Sequence, residues 1–215
     1  LINGDYSACT LLGCDGYRDH GPEGLTVVRG HRIDGPLLGD GDNNAVRRPW
    51  LAISHTTPML AEIHQLSSDL GNLPYDWIYT GIGGAPWLIQ DGNVLTTAIQ
   101  NCSGASSGSC RPNASQTAVG VTLDRRWLFF VVGDHPRTLL DLAAFMEEQL
   151  AAWRAIKFDG GGSSQLYYSA AQNPYLDGGD GRLLTNYLAI FANAGSGINL
   201  GDLTPVTTPV PATCP

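Results

Sequence analysis

At 215 residues, 43% of them hydrophobic, the chain can fill the core of one domain, while only 15% charged residues against 27 glycines and 13 prolines argue against long solvated helices. The formal net charge of -8 and a pI near 4.9 create an average field that repels polyanions. That balance excludes wholesale binding to nucleic acid or anionic membranes, although a single phosphate can still be held locally.

From the N-terminus, residues 1–24 are turn-rich and end in Gly21-Pro22-Glu23-Gly24. Residues 25–33 are β-branched enough for a strand. Short apolar runs bounded by Gly, Pro, Asn or Asp predict strands at 50–54, 76–79, 85–90 and 94–98. Asp91-Gly92 predicts a hairpin, because this pair readily supplies the positive φ angles of a tight turn. A long polar loop is expected over 101–115, then a hairpin of strands 117–123 and 127–132 across Asp124-Arg125-Arg126. Thr138 with Asp141 three residues on is close to a capping box, and Leu139, Leu142, Ala143, Met146 and Leu150 recur at helical spacing as a core stripe. Strand 153–158, loop 159–164 and strand 165–169 follow, with a last strand at 188–192. These elements predict an α+β domain over 1–195, a mixed sheet or partly closed barrel packed on one main helix. Residues 196–215 read as a Pro/Thr-rich tail or linker.

No run of 18 or more apolar residues occurs, so no membrane span is expected. Leu1 is not preceded or followed by a basic and then apolar leader, which predicts that any targeting segment has been removed. Cys9, Cys14, Cys102, Cys110 and Cys214 sit among Gly, Ser and Asn. Local disulfides Cys9–Cys14 and Cys102–Cys110 fit better than zinc, since the Cys-x-x-Cys spacing is missing, and Cys214 remains for a covalent or assembly partner. Asn101 and Asn113 head Asn-x-Ser sequons. Together these features predict a secreted protein.

The chemistry concentrates at Asp159-Gly160-Gly161-Gly162-Ser163-Ser164. Three successive glycines carry a high entropic cost, and what they permit is close approach of backbone N–H groups to an anion, with the serine hydroxyls as further donors. A tight strand connection is the alternative reading. The Gly-Lys-Ser/Thr ending of a nucleotide P-loop is missing, and no Gly-x-Ser-x-Gly precedes a helix, which excludes a serine-nucleophile elbow. Asp159 is placed to act as base, cation stabiliser or metal ligand.

The run Ala155-Ile156-Lys157-Phe158-Asp159-Gly160-Gly161-Gly162-Ser163-Ser164-Gln165-Leu166 resembles the signature of the phosphodiester glycosidase family. Ile2-Asn3-Gly4-Asp5-Tyr6, Gly83-Gly84-Ala85-Pro86, Thr117-Ala118-Val119-Gly120-Val121-Thr122 and the pair Arg182 and Asn186 resemble further pieces of that family in the same order. The resemblance implies hydrolysis of a sugar-1-phosphodiester at the anomeric carbon, with a phosphorylated glycan or sugar phosphate as substrate. Gly160 to Ser164 would then clamp the phosphate and Asp159 would face the oxocarbenium-like centre. Three departures stand out: Gln116 where the family usually has arginine, Asp5 where small residues are common, and missing strands before the Thr-Ala-x-Gly motif. Arg111 and Arg182 are candidate replacements for the arginine. A non-catalytic binding or structural module that kept the fold is the competing reading.

Beside Asp159, Asp134 in Gly133-Asp134-His135 is a candidate acid/base partner, with a simple turn as the alternative. Asn3, Asp5 and His55 are candidates for sugar contacts, while His20, His31 and His64 are expected at the surface. No cofactor is required. The acidic turns Asp40-Gly41-Asp42-Asn43-Asn44 and Asp177-Gly178-Gly179-Asp180-Gly181 could hold calcium but lack the full EF-hand pattern.

Overall fold

The structure, a computed structural model, describes residues 2–3, 24–33, 48–56, 59–65, 77–104, 114–125, 128–170, 173–177 and 187–190. In chain order its strands begin with β1 (Ile2–Asn3), β2 (Thr26–Val28), β3 (His31–Ile33), β4 (Pro49–Ser54), β5 (Ala61–Gln65) and β6 (Ile78–Gly83). Next come β7 (Trp87–Gln90), β8 (Asn93–Val94), helix α1 (Thr96–Gly104), β9 (Ala114–Val121), β10 (Leu128–Arg137) and helix α2 (Leu139–Glu148). The chain continues through β11 (Arg154–Lys157), β12 (Leu166–Ala170), β13 (Asn173–Asp177) and β14 (Tyr187–Leu188).

Among the described residues these strands form three sheets, ordered β3-β2-β6-β4-β5, β10-β9-β11-β7-β8 and β13-β12-β1-β14. Each strand pairing among the described residues is antiparallel, which corrects the expected mixed sheet. Leu51, Ile63 and Ile82 from the first sheet meet Val119, Val121, Ile156 and Phe158 from the second in one buried layer. On the opposite face of the second sheet, Ala118 and Ala155 pack against Ile99 of α1 and Leu139, Leu142, Ala143 and Met146 of α2. The second sheet is therefore apolar on both faces, which explains why residues 155–156 and 118–119 read as unbroken hydrophobic runs.

Helix α2 forms as its sequence predicts. Thr138 Oγ1 accepts from Asp141 N at 3.1 Å and Thr138 N donates to Asp141 Oδ2 at 3.1 Å, completing the capping box. The hairpin at Asp91-Gly92 forms too, with φ of 50° and 78°, the conformation whose twist matches the flanking strands. Arg29 and Gly30 share that geometry, with φ of 52° and 78°. They turn the single strand expected over 25–33 into the hairpin of β2 and β3.

A further correction concerns residues 94–104. The strand expected at 94–98 stops at Val94, and Thr96 starts α1, which takes residues 101–104 out of the expected loop. Thr96 and Thr97 favour a strand locally, yet Ile99 is 1% exposed against the α2 cluster, and tertiary burial overrides propensity. One main helix thus becomes two in a sheet-rich fold. None of the helices among the described residues is long and apolar enough to cross a membrane.

Candidate active site

The loop after β11 is fixed first by backbone bonds. Lys157 N donates to Pro86 O at 3.1 Å, Ala85 N donates to Lys157 O at 2.8 Å and Phe158 N donates to Thr117 O at 2.8 Å. Gly84 must lack a side chain, because a Cβ there would lie 2.5 Å from Lys157 O. The Gly-Gly-Ala-Pro segment therefore serves to seat the end of β11.

Beyond that anchor Gly160 and Gly161 have separate reasons. Gly160 is extended at φ -130°, so its constraint is space: a Cβ would meet Lys157 Nζ at 2.9 Å, Ser115 O at 3.1 Å and Gln116 Oε1 at 3.2 Å. Gly161 has φ +62° with nothing within 4 Å of a Cβ, so its constraint is the left-handed backbone. Gly161–Ser163 then form a 3-10 turn, closed by Ser163 N to Gly160 O at 3.2 Å and Ser164 N to Gly161 O at 3.1 Å. Gly160→Ala should lower stability by about 1–3 kcal/mol, as overpacking against a backbone carbonyl does. Gly161→Ala should cost about 1–2 kcal/mol through its φ alone. Urea denaturation of both variants checks this, and a Gly160→Ala protein as stable as the parent would rule out the close packing.

Around this turn lies a set of buried polar side chains. Gln116, Thr117, Lys157, Ser163, Ser164 and Gln165 are each at most 7% exposed. Thr117 Oγ1 donates to Ser164 Oγ at 3.1 Å, so the buried Ser164, expected as a phosphate donor, anchors the loop from beneath. The half-buried residues Asp159, Gly161 and Gly162 form the accessible face. Asp159 Oδ1 accepts from Gly160 N at 2.7 Å. Among the described residues no hydrogen bond engages the N–H of Gly161 or Gly162.

Lys157 is the residue that sequence reasoning passed over. It is 0% exposed, its Nζ donates to Phe158 O at 2.7 Å, and burial pushes its pKa down to about 7 against the opposing pull of the Asp159 charge. The only signal in the sequence was a lysine flanked by Ile156 and Phe158 in an otherwise apolar run.

Other candidates converge on this end of the molecule in part. Ile2 pairs with Leu166 and Asn3 with Tyr187, which sets Asn3 beside the exit of the loop, where Tyr187 Oη donates to Gln165 Oε1 at 3.4 Å. Burial raises the Tyr187 pKa. Asp134 follows Gly133, which pairs with Gln116, and the register of β10 shifts between Gly133 and Arg137. His55 is not brought in. It follows the end of β4 opposite Pro49, whose carbonyl accepts from Gly84 N, and its ring lies 5.3 Å from that of Tyr79, about 20 Å of strand away from the loop.

His64, expected at the surface, is half-buried instead. Its ring lies 5.5 Å from Trp50 and 6.3 Å from Trp77, its Nε2 is 2.7 Å from Glu62 Oε2, and burial lowers its pKa. His31 is exposed. Cys102 and Asn101 fall on α1. Asp5, His20, Arg111, Arg182, Asn186, Asn113, Cys9, Cys14, Cys110, Cys214, the acidic turn at 40–44 and residues 178–181 lie outside the described residues. Among those described, no three His, Cys, Asp or Glu side chains are grouped to hold a metal ion.

A family model described as phosphodiester glycosidase matches residues 3–191. The catalytic domain of zebrafish N-acetylglucosamine-1-phosphodiester alpha-N-acetylglucosaminidase, auto-inhibited by its pro-peptide, aligns with a TM-score of 0.51 and 21% identity over 76% of this chain and 51% of that one. A hypothetical protein from Synechocystis aligns with a TM-score of 0.43 and 15% identity over 76% of this chain and 46% of that one. This chain thus spans about half the length of those solved structures. No curated protein matches it.

Proposed function

Taking as premise that this chain belongs to the phosphodiester glycosidase family, we propose that it is an extracellular hydrolase that cleaves a sugar-1-phosphodiester at the anomeric carbon. N-acetylglucosamine-1-phosphodiesters are the substrates of choice. The observation that supports this reading is one loop that offers the Asp159 carboxylate beside the Gly161 and Gly162 N–H groups, which no described residue engages.

In this reaction the C1–O bond breaks, its electron pair leaves on the phosphate oxygen, and a water oxygen bonds to C1 while its proton passes to a base. A phosphomonoester leaves without much acid assistance, so the protein need only clamp an anion, face the cationic centre and position water. The clamp falls to the Gly161 and Gly162 amides. Asp159 faces the anomeric centre, Asp134 is the candidate base for water, and Asn3 is the candidate for sugar hydroxyls. No cofactor enters any of these steps.

Gln116 favours a second reading, a binding module without turnover, because an uncharged amide stands under the loop where the family usually has arginine. Incubating the purified protein with the methyl phosphodiester of N-acetylglucosamine 1-phosphate separates the two. Release of free N-acetylglucosamine is expected. Calorimetric binding of the same ester with no sugar released would establish the module and overturn the hydrolase.

A further inference from the structure

We infer that Lys157 is a positioning residue for the Asp159 loop: its enclosed ammonium fills the space left by Gly160 and faces the Asp159 carboxylate with a positive charge. The inference rests on the hydrolase reading only for its kinetic consequences. Geometry carries it. Nζ donates to Phe158 O at 2.7 Å, directly before Asp159, and lies 2.9 Å from where a Gly160 Cβ would stand. The same point is 3.1 Å from Ser115 O and 3.2 Å from Gln116 Oε1, so the lysine nitrogen and these two neutral oxygens border one small space under the turn.

Phe158 O, which accepts from Nζ at 2.7 Å, is the neutral oxygen that holds the ammonium in place. Ser115 and Gln116, which border that space, come from β9, and neither titrates. Asp159 is the ionised group that acts on Lys157, and the interaction favours the ammonium while burial opposes it. Asp134 and His135 stand on β10, one strand beyond Gln116. Fully enclosed, Lys157 cannot touch a substrate, so it acts through Asp159 and the path of the Gly160 backbone.

Two measurements test the inference. Lysine side-chain NMR on the parent protein should show one Nζ titrating near 7, and Asp159→Asn should move that midpoint down by about 1 unit or more, since an opposite charge at short range is lost. Turnover of the sugar phosphodiester should fall as pH rises through that same midpoint, and Lys157→Met should abolish this basic limb while lowering kcat more than it changes KM. An unmoved Nζ midpoint in Asp159→Asn, or a basic limb that persists in Lys157→Met, would overturn the inference. If the parent shows no hydrolysis at any pH, the hydrolase reading fails, and the Nζ titration alone still decides the coupling.

Discussion

Asp159→Asn is expected to lower kcat on an N-acetylglucosamine-1-phosphodiester by about 10²–10⁴-fold without unfolding the protein. The substitution isolates charge. An asparagine Oδ1 still accepts from Gly160 N, the 2.7 Å bond that orients the carboxylate, so the 3-10 turn behind it has no reason to move. What disappears is the negative charge facing a developing oxocarbenium ion, and electrostatic stabilisation of that kind acts on the transition state more than on the ground state. KM should therefore change little. Ser164→Ala makes the contrast: its hydroxyl is bonded to Thr117 inside the protein, so its loss should appear in the unfolding midpoint before it appears in kcat. Equal activity of Asp159→Asn and parent across roughly pH 5 to 8, above the ordinary carboxylate range, would remove Asp159 from the chemistry.

The glycine loop was legible because its composition is costly without a purpose, and the structure gives Gly160 and Gly161 distinct constraints. Helix α2 was legible because its signals agree at every level, from Thr138 and Asp141 at the cap to Met146 in the core. Helix α1 was not, since its threonines favour a strand and its one buried anchor, Ile99, finds its partners only in the folded protein. Lys157 stayed hidden for a related reason. A lysine in sequence is read as a solvated charge, and only the two-sided burial of β11 turns it into an enclosed one. His55 failed in the opposite way: a polar residue at a strand end looked like a site residue, and antiparallel topology put it at the other end of β4.

The second large effect is a stability that rises with pH. Burial holds the folded-state pKa of Lys157 at about 7, whereas in the unfolded chain the amine returns to its ordinary 10.5. Between those values the unfolded state binds the extra proton, so unfolding becomes less favourable with each step up in pH. Below 7 both states are charged and the full penalty for enclosing the ammonium is present, while above 10.5 both are neutral and the penalty is gone. At about 1.4 kcal/mol per unit, the difference spans at most about 5 kcal/mol. Tyr187 works against this trend at the alkaline end, because a phenol whose pKa is raised on folding costs stability once the unfolded chain ionises. Comparing the parent with Lys157→Met cancels that contribution, since Tyr187 is present in both. Urea unfolding free energies measured at intervals from pH 6.5 to 10 should show the parent gaining on the variant throughout, by about 3–5 kcal/mol in total. A constant gap between the two curves would mean that Lys157 titrates alike in folded and unfolded chains, and its enclosure under Gly160 would then carry no charge of consequence.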